Sequence, residues 1–145
     1  MKIIDAENKI LGRAASKIAH TAKETDEEIK IINTEKAVIS GKKEKVLKDY
    51  KQKHERGRRD RGPYFPKRPD KIFKRTIKNM TSDTKKGRKQ LKQIKTYIKT
   101  PEELKEKQKE DLDIKTGEEL KNKNYVKLGE ISEHIGWKPN VEVKY

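Results

Sequence analysis

The sequence predicts an α/β domain that carries a long basic excursion, and three observations lead there. Residues 1–41 set short β-branched runs on either side of an alanine-rich stretch of helical periodicity, which is the pattern of a strand-helix-strand unit. Only 30% of the 145 residues are apolar and 43% are charged, so the core must be small, a composition that would border on disorder without that patterned start. The formal charge of +15 is concentrated in the middle of the chain. At this length the expectation is one domain over residues 1–145, with 1–41 and 94–98 as a sheet platform, 42–93 as the basic excursion and 100–145 as a C-terminal helical tail.

Lys2-Ile3-Ile4-Asp5 is a short strand ending in a turn-favouring residue. Leu11, Ala14, Ala15, Ile18, Ala19 and Ala22 then recur on one helical face, and a face made mostly of alanine lets the helix lie close on a sheet. Gly12-Arg13 at the helix start reads first as a structural turn and second as an anion cradle, since a lone glycine carries little information. Glu28-Ile29-Lys30-Ile31-Ile32-Asn33 is a second strand, and Ala37-Val38-Ile39 a further apolar triplet closed by Ser40-Gly41. Two strands separated by a helix imply parallel pairing with a right-handed crossover. Ser40-Gly41-Lys42-Lys43 is not a Walker loop, because the upstream glycine and the hydroxyl residue after the lysine are missing.

In residues 42–55, Val46, Leu47 and Tyr50 form one apolar stripe on an otherwise cationic helix. Pro63, Pro66 and Pro69 forbid continuous helix after it, while Gly57 and Gly62 permit tight bends. Asp70 is placed to cap the next helix, whose Phe73, Ile77 and Met80 share a face and whose Lys71, Lys74, Arg75 and Lys78 point elsewhere. Residues 81–86 read as a linker, 87–93 as a short basic helix and 94–98, with Tyr97, as a strand returning to the sheet. Thr100-Pro101-Glu102-Glu103 has the pattern of an N-cap followed by proline at the first helical position. The sparse apolar residues beyond it, Leu104, Leu112 and Ile114, predict a surface helix. Residues 125–137 form the last element, with Leu128, Ile131 and Ile135 in a stripe and Gly136 as its stop.

Residues 42–99 hold 23 lysines and arginines against 6 acids, a net of +17, whereas residues 1–41 are neutral and 100–145 are at −2. Such a block focuses a positive field on one surface, and the natural partner is a polyanion. Seven of the eight arginines lie there, each able to grip a phosphate with two parallel hydrogen bonds. A merely solvated charge run would not need the interleaved Tyr50, Tyr64, Phe65 and Phe73. The candidate contacts are Lys43, Lys53, Arg56, Arg58, Arg59, Arg61, Tyr64, Lys67, Lys71, Lys74, Lys78, Lys86, Arg88 and Lys89. Arg59 and Arg61 stand two apart, so an extended backbone would turn both the same way. Residues 56–69, with little apolar anchorage and strong mutual repulsion, are expected to be mobile until the partner binds.

Other chemistry is poorly supported. There is no cysteine, and His20, His54 and His134 are far apart, so neither a disulfide nor a metal site is expected. Asp5 and Asp70 could serve as general bases, but a turn and a cap account for them, and no nucleophile has a plausible base. The expectation is a protein without catalytic activity, cofactor or small-molecule substrate. No apolar run approaches the ~20 residues of a membrane span, and the start lacks an apolar signal region, which predicts a soluble intracellular protein. Asn79-Met80-Thr81 matches a glycosylation sequon by chance.

Ile4-Asp5-Ala6, Leu11-Gly12-Arg13-Ala14-Ala15-Ser16, Asn33-Thr34-Glu35-Lys36-Ala37-Val38-Ile39-Ser40-Gly41, Gly62-Pro63-Tyr64-Phe65-Pro66-Lys67-Arg68-Pro69-Asp70 and Arg75-Thr76-Ile77 occur in an order that resembles the universal large-ribosomal-subunit protein thirteen family. The resemblance covers about residues 3–101, and the Gly-Pro-Tyr-Phe-Pro loop is similar to that of the archaeal branch. Asn79-Met80-Thr81-Ser82 and Thr96-Tyr97-Ile98-Lys99 depart from the family pattern of Gly-Met-Leu-Pro and Val-Tyr-x-Gly. The resemblance implies a three-layer α/β/α fold on a mainly four-stranded parallel sheet. It also implies a structural, non-enzymatic role on large-subunit ribosomal RNA beside neighbouring ribosomal proteins, with a part in early assembly, in cytoplasmic ribosomes. By motif it implies RNA contacts at Arg13, Asn33, Lys36, Lys42, Arg59, Arg61, Arg68 and Arg75, with Asp5 and Asp70 structural. The alternatives are a free-standing RNA or DNA binder, such as a chaperone or regulator, and then an enzyme acting on nucleotides.

Overall fold

The computed structural model describes residues 1–139, so the last six residues of the expected tail lie outside the described residues. Strand β1 (Lys2–Asp5), helix α1 (Leu11–Glu24) and strand β2 (Ile29–Ile32) form the anticipated unit, and β2 pairs in parallel on its other side with β4 (Ile94–Thr96). The register puts Ile4 beside Ile31 and Ile29 beside Ile94. These four side chains share one sheet face, where they pack with Leu11, Ala14, Ala15 and Ile18 of α1 and with Ile72, Phe73 and Ile77 of helix α3 (Pro69–Met80). The reverse face presents Ile3 and Ile32 to Leu104 and Tyr97. A helical layer, a sheet and a thin back layer give the α/β arrangement expected.

The sheet is narrower than the four parallel strands implied by the resemblance: β1-β2-β4 is a three-stranded sheet. Strand β3 (Val38–Ser40) touches β1's exit only through a single parallel bridge between Ile10 and Val38, and instead pairs antiparallel with β5 (Tyr125–Lys127). Chain length explains this. A parallel return needs a crossover of about a dozen residues, and between β2 and β3 there is room only for Asn33, in the left-handed region at φ 55°, the 3₁₀ turn Thr34–Lys36 and Ala37.

The tail is not the surface helix predicted after Thr100. Helix α5 (Glu102–Lys105) is a single turn, and the Thr100 hydroxyl donates to Asn33 Oδ1 (3.1 Å) in place of capping it. The following residues run as a strap over the outer edge of β1. Glu110 N–H donates to the Ile3 carbonyl (2.7 Å), Gly117 N–H to the Asn8 carbonyl (2.9 Å), and Leu112 is buried in the main core. Covering an edge in this way shields unpaired backbone groups that would otherwise recruit another strand. The strap leads into β5 and helix α6 (Leu128–His134), whose buried Leu128 and Ile131 match the predicted stripe. Among the described residues, no helix is long and apolar enough to cross a membrane.

Asp5 ties strap, sheet and turn together. Its Oδ1 accepts from Glu7 N–H (3.0 Å) and Asn33 Nδ2 (2.9 Å), and its Oδ2 from Lys109 Nζ (3.2 Å). Partial burial would raise its pKa, but the hydrogen bonds from Asn33, Glu7 and Lys109 outweigh it and hold the carboxyl below the ordinary aspartate value of 3.8. A lowered folded pKa contributes stability that is complete above the unfolded value and is lost as pH falls through the folded one. The difference in unfolding free energy between wild type and Asp5→Asn should therefore be largest near about pH 7 and shrink below about pH 4. Taking the difference cancels the other acids that titrate there. A gap that stays constant across the denaturant series would show that Asp5 contributes by shape and not by charge.

Candidate nucleic-acid interface

Helix α2 (Lys43–Glu55) opens the basic excursion, and its one buried residue, Val46, packs with Val126 and Ile131 from the C-terminal elements. Leu47 and Tyr50 complete the stripe, and Lys43 Nζ reaches Glu130 (3.2 Å). This cationic helix is thus clamped by the tail, which leaves Lys45, Lys48, Lys51 and Lys53 exposed.

The following loop is folded back on itself, not extended as the spacing of Arg59 and Arg61 suggested. Gly62 N–H donates to the Arg58 carbonyl (2.8 Å) and Arg58 N–H to the Gly62 carbonyl (3.2 Å), so both arginines project from a tight turn. Gly57, at φ 100°, must be glycine here, because a Cβ would stand 2.3 Å from the Gly62 oxygen. Beyond the turn the loop has an anchor that its composition concealed. Phe65 sits 5.9 Å edge-on from the Tyr50 ring, with the Arg75 guanidinium 5.0 Å over its face, and its carbonyl meets His54 Nδ1 at 3.1 Å. Lys53 lies 4.6 Å over Tyr50.

Asp70 does not cap α3. Pro69 occupies the first helical position, and the Asp70 carboxylate, only 5% exposed, receives Arg68 Nε (3.1 Å) and its terminal nitrogen (2.8 Å) as a fork. Ile72 takes the buried place expected of Met80, which is exposed. Lys71 and Lys78 point to solvent, while Lys74 and Arg75 are half-buried. Burial pushes the Lys74 ammonium below the usual lysine range, with Asp70 opposing that shift and Lys95 adding to it. Helix α4 (Lys85–Gln93) is capped by the Thr84 hydroxyl, which accepts from Gly87 N–H (3.3 Å); it exposes Lys86 and Arg88 and pairs Lys89 with Asp26 (2.9 Å).

Arg13 and Lys42 meet elsewhere, in a cleft of about 520 Å³ with Ser40 and Gly41 on one side and Lys115, Lys121, Asn122 and Asn124 on the other. The strap residues of this cleft were missed because the tail is net negative, and an average hides two lysines brought together by folding. Asn33 and Lys36 are not brought into either group. The Asn33 amide is committed to Asp5 and Thr100, and Lys36 Nζ to Glu7 (2.9 Å), which raises the lysine pKa.

Most cations of this surface have no acid partner: among the described residues, only Lys43, Lys51, Arg68, Lys89 and Lys95 of the 23 cations in residues 42–99 are ion-paired. No group of His, Asp or Glu suited to a metal occurs among the described residues. The sequence profile described as Ribosomal protein L13 matches residues 1–103. The chain belongs to the ribosomal protein L13 family. Curated relatives called Large ribosomal subunit protein uL13 agree with it. That of Methanosarcina barkeri is 44% identical over 142 residues, covering 95% of this chain and 99% of its own. Those of Archaeoglobus fulgidus and Methanocaldococcus jannaschii are 39% and 40% identical, over 94% and 95% of this chain and 88% and 99% of theirs. All three sources are archaea, as the loop 62–66 led one to expect. The L13 profile stops near α5, but these alignments run on through the strap to β5 and α6, the parts that clamp α2.

Proposed function

We propose that this chain is a structural constituent of the large ribosomal subunit that binds its ribosomal RNA and helps early subunit assembly. It does so in cytoplasmic ribosomes, beside neighbouring ribosomal proteins. The observation that carries this reading is the surplus of cations without an acid partner, displayed by α2, the turn at Arg58–Gly62, α3 and α4 above a neutral platform. Lys53, Arg56, Arg58, Arg59, Arg61, Lys67, Lys71, Lys74, Arg75, Lys78, Lys86 and Arg88 make the main phosphate contacts. Lys43, Arg68 and Lys89 exchange or share an internal acid, and Arg13 with Lys42 forms a second contact at the strap. Among the described residues no helix is patterned to read a major groove, so folded or A-form RNA is preferred to duplex DNA.

Affinity for structured RNA should fall by ~10³ to 10⁵ between about 50 and 200 mM salt, as expected for some six to ten neutralised phosphates. A flat salt response in a filter-binding series would sink the electrostatic account. Native protein should also co-sediment with large subunits after a high-salt wash, and slow sedimentation as free protein would favour a free-standing RNA binder.

A further inference from the structure

Between the end of α2 and the turn lies a cavity of about 210 Å³ whose lining includes His54, Arg56, Arg58, Arg59, Tyr64 and Phe65. It is smaller than the ~300–1,000 Å³ of sites that enclose a whole small ligand, and suits a single ring system. Tyr64 forms its open wall. The residue is 67% exposed, yet both its ends are tied: its hydroxyl donates to the Arg59 carbonyl and its own carbonyl accepts from Arg75 (3.2 Å). The ring also lies close over Gly62, where a Cβ would come within 3.3 Å of its edge carbons. One side of the ring is therefore backed by glycine backbone while the residue as a whole stays largely open to solvent.

We propose that this cavity takes an unpaired RNA base stacked on Tyr64, with Arg56, Arg58 and Arg59 holding the phosphates on either side. The inference deepens the RNA-binding reading and rests on it. A duplex would need only the cations, since its base faces are occupied by stacking. An open aromatic ring in a cavity lined by three arginines matches the way unstacked loop and bulge bases are held. His54 Nδ1 lies 3.1 Å from the Phe65 carbonyl, which holds the imidazole in the cavity wall. Glu55, also in the lining, suits the paired N–H donors of a guanine edge.

The test uses the full chain and three RNA hairpins of one sequence: unbroken, with one bulged guanosine, and with an abasic site in the bulge. Wild type should prefer the bulged guanosine to the abasic bulge by about tenfold. Tyr64→Leu should erase that preference while leaving the salt dependence on the unbroken hairpin unchanged, and Tyr64→Phe should keep it. A purely structural role for Tyr64 would weaken all three RNAs alike, and that result overturns the inference. So does a wild-type protein that binds the guanosine and abasic bulges equally, although RNA binding as such would then stand. Loss of the preference in Tyr64→Phe as well as Tyr64→Leu would show that the ring is not what is read. Failure of wild type to bind any of the hairpins would overturn both the inference and the RNA-binding reading.

Discussion

Replacing Arg59 and Arg61 together with glutamate is expected to leave the fold intact and to lower RNA affinity by about 10² to 10³. Both side chains are exposed at the tip of the turn, and neither makes a hydrogen bond or ion pair with a described residue. The hydrogen bonds that shape the turn come from backbone atoms, which the substitution keeps, so each change should cost within ~0.5 kcal/mol of stability. Binding is different. A cation about 4 Å from a phosphate gains ~1 kcal/mol even at the dielectric of water, and a glutamate there loses as much, a swing of ~2 kcal/mol per site. Two sites give ~4 kcal/mol, close to 10³ in affinity, and salt screening trims it. The checks are circular dichroism, RNA titration and the share of the double mutant in large subunits when it is the only copy. A folded mutant that enters subunits at the wild-type level would show that the turn does not carry the contact assigned to it.

How far the sequence could be read depended on whether a feature was periodic and local. All six apolar positions foreseen for α1, from Leu11 to Ala22, are buried, because a helical stripe records its own burial in its spacing. The β1–α1–β2 unit was legible for the same reason. Strand β5 was not, since three residues have no measurable period and its partner β3 lies far back in the chain. The strap escaped because much of its attachment to β1 runs through backbone atoms, as in Glu110 N–H to the Ile3 carbonyl, which leave no trace in side-chain pattern. Asp70 was misjudged as a cap, because its residue type suits one but burial and a through-space partner assign it to Arg68, and the partners of Asn33, Asp5 and Thr100, were equally hidden from the sequence. Within the candidate interface, composition put the cations on one segment, while the Phe65 anchor required the approach of Tyr50 and Arg75 to be seen.

The largest effect on stability is expected at Phe73. Phe73→Ala should lower the unfolding free energy by ~3–5 kcal/mol, a major part of the ~5–15 kcal/mol typical of a domain. Phe73 is fully buried on α3, in the cluster that joins α3 to α1 and the sheet. The opposing face of α1 is largely Ala14, Ala15, Ala19 and Ala22, and alanine has no rotamer with which to reach into a gap. The β-branched isoleucines of the sheet are held by their strands and have few rotamers to offer, so the cavity should persist and add its own cost to the lost transfer free energy. Phe73→Leu, which keeps most of the volume, should cost much less. The cations of α3 lie on its other sides, so wherever the mutant is still folded its RNA affinity should match wild type, the reverse of the Arg59 and Arg61 pair. Urea unfolding with an unchanged slope and a lowered midpoint, measured beside RNA titration at low temperature, separates the two. A loss within ~1 kcal/mol would mean that the helices close over the gap, and that the alanine face of α1 is not the fixed wall its packing indicates.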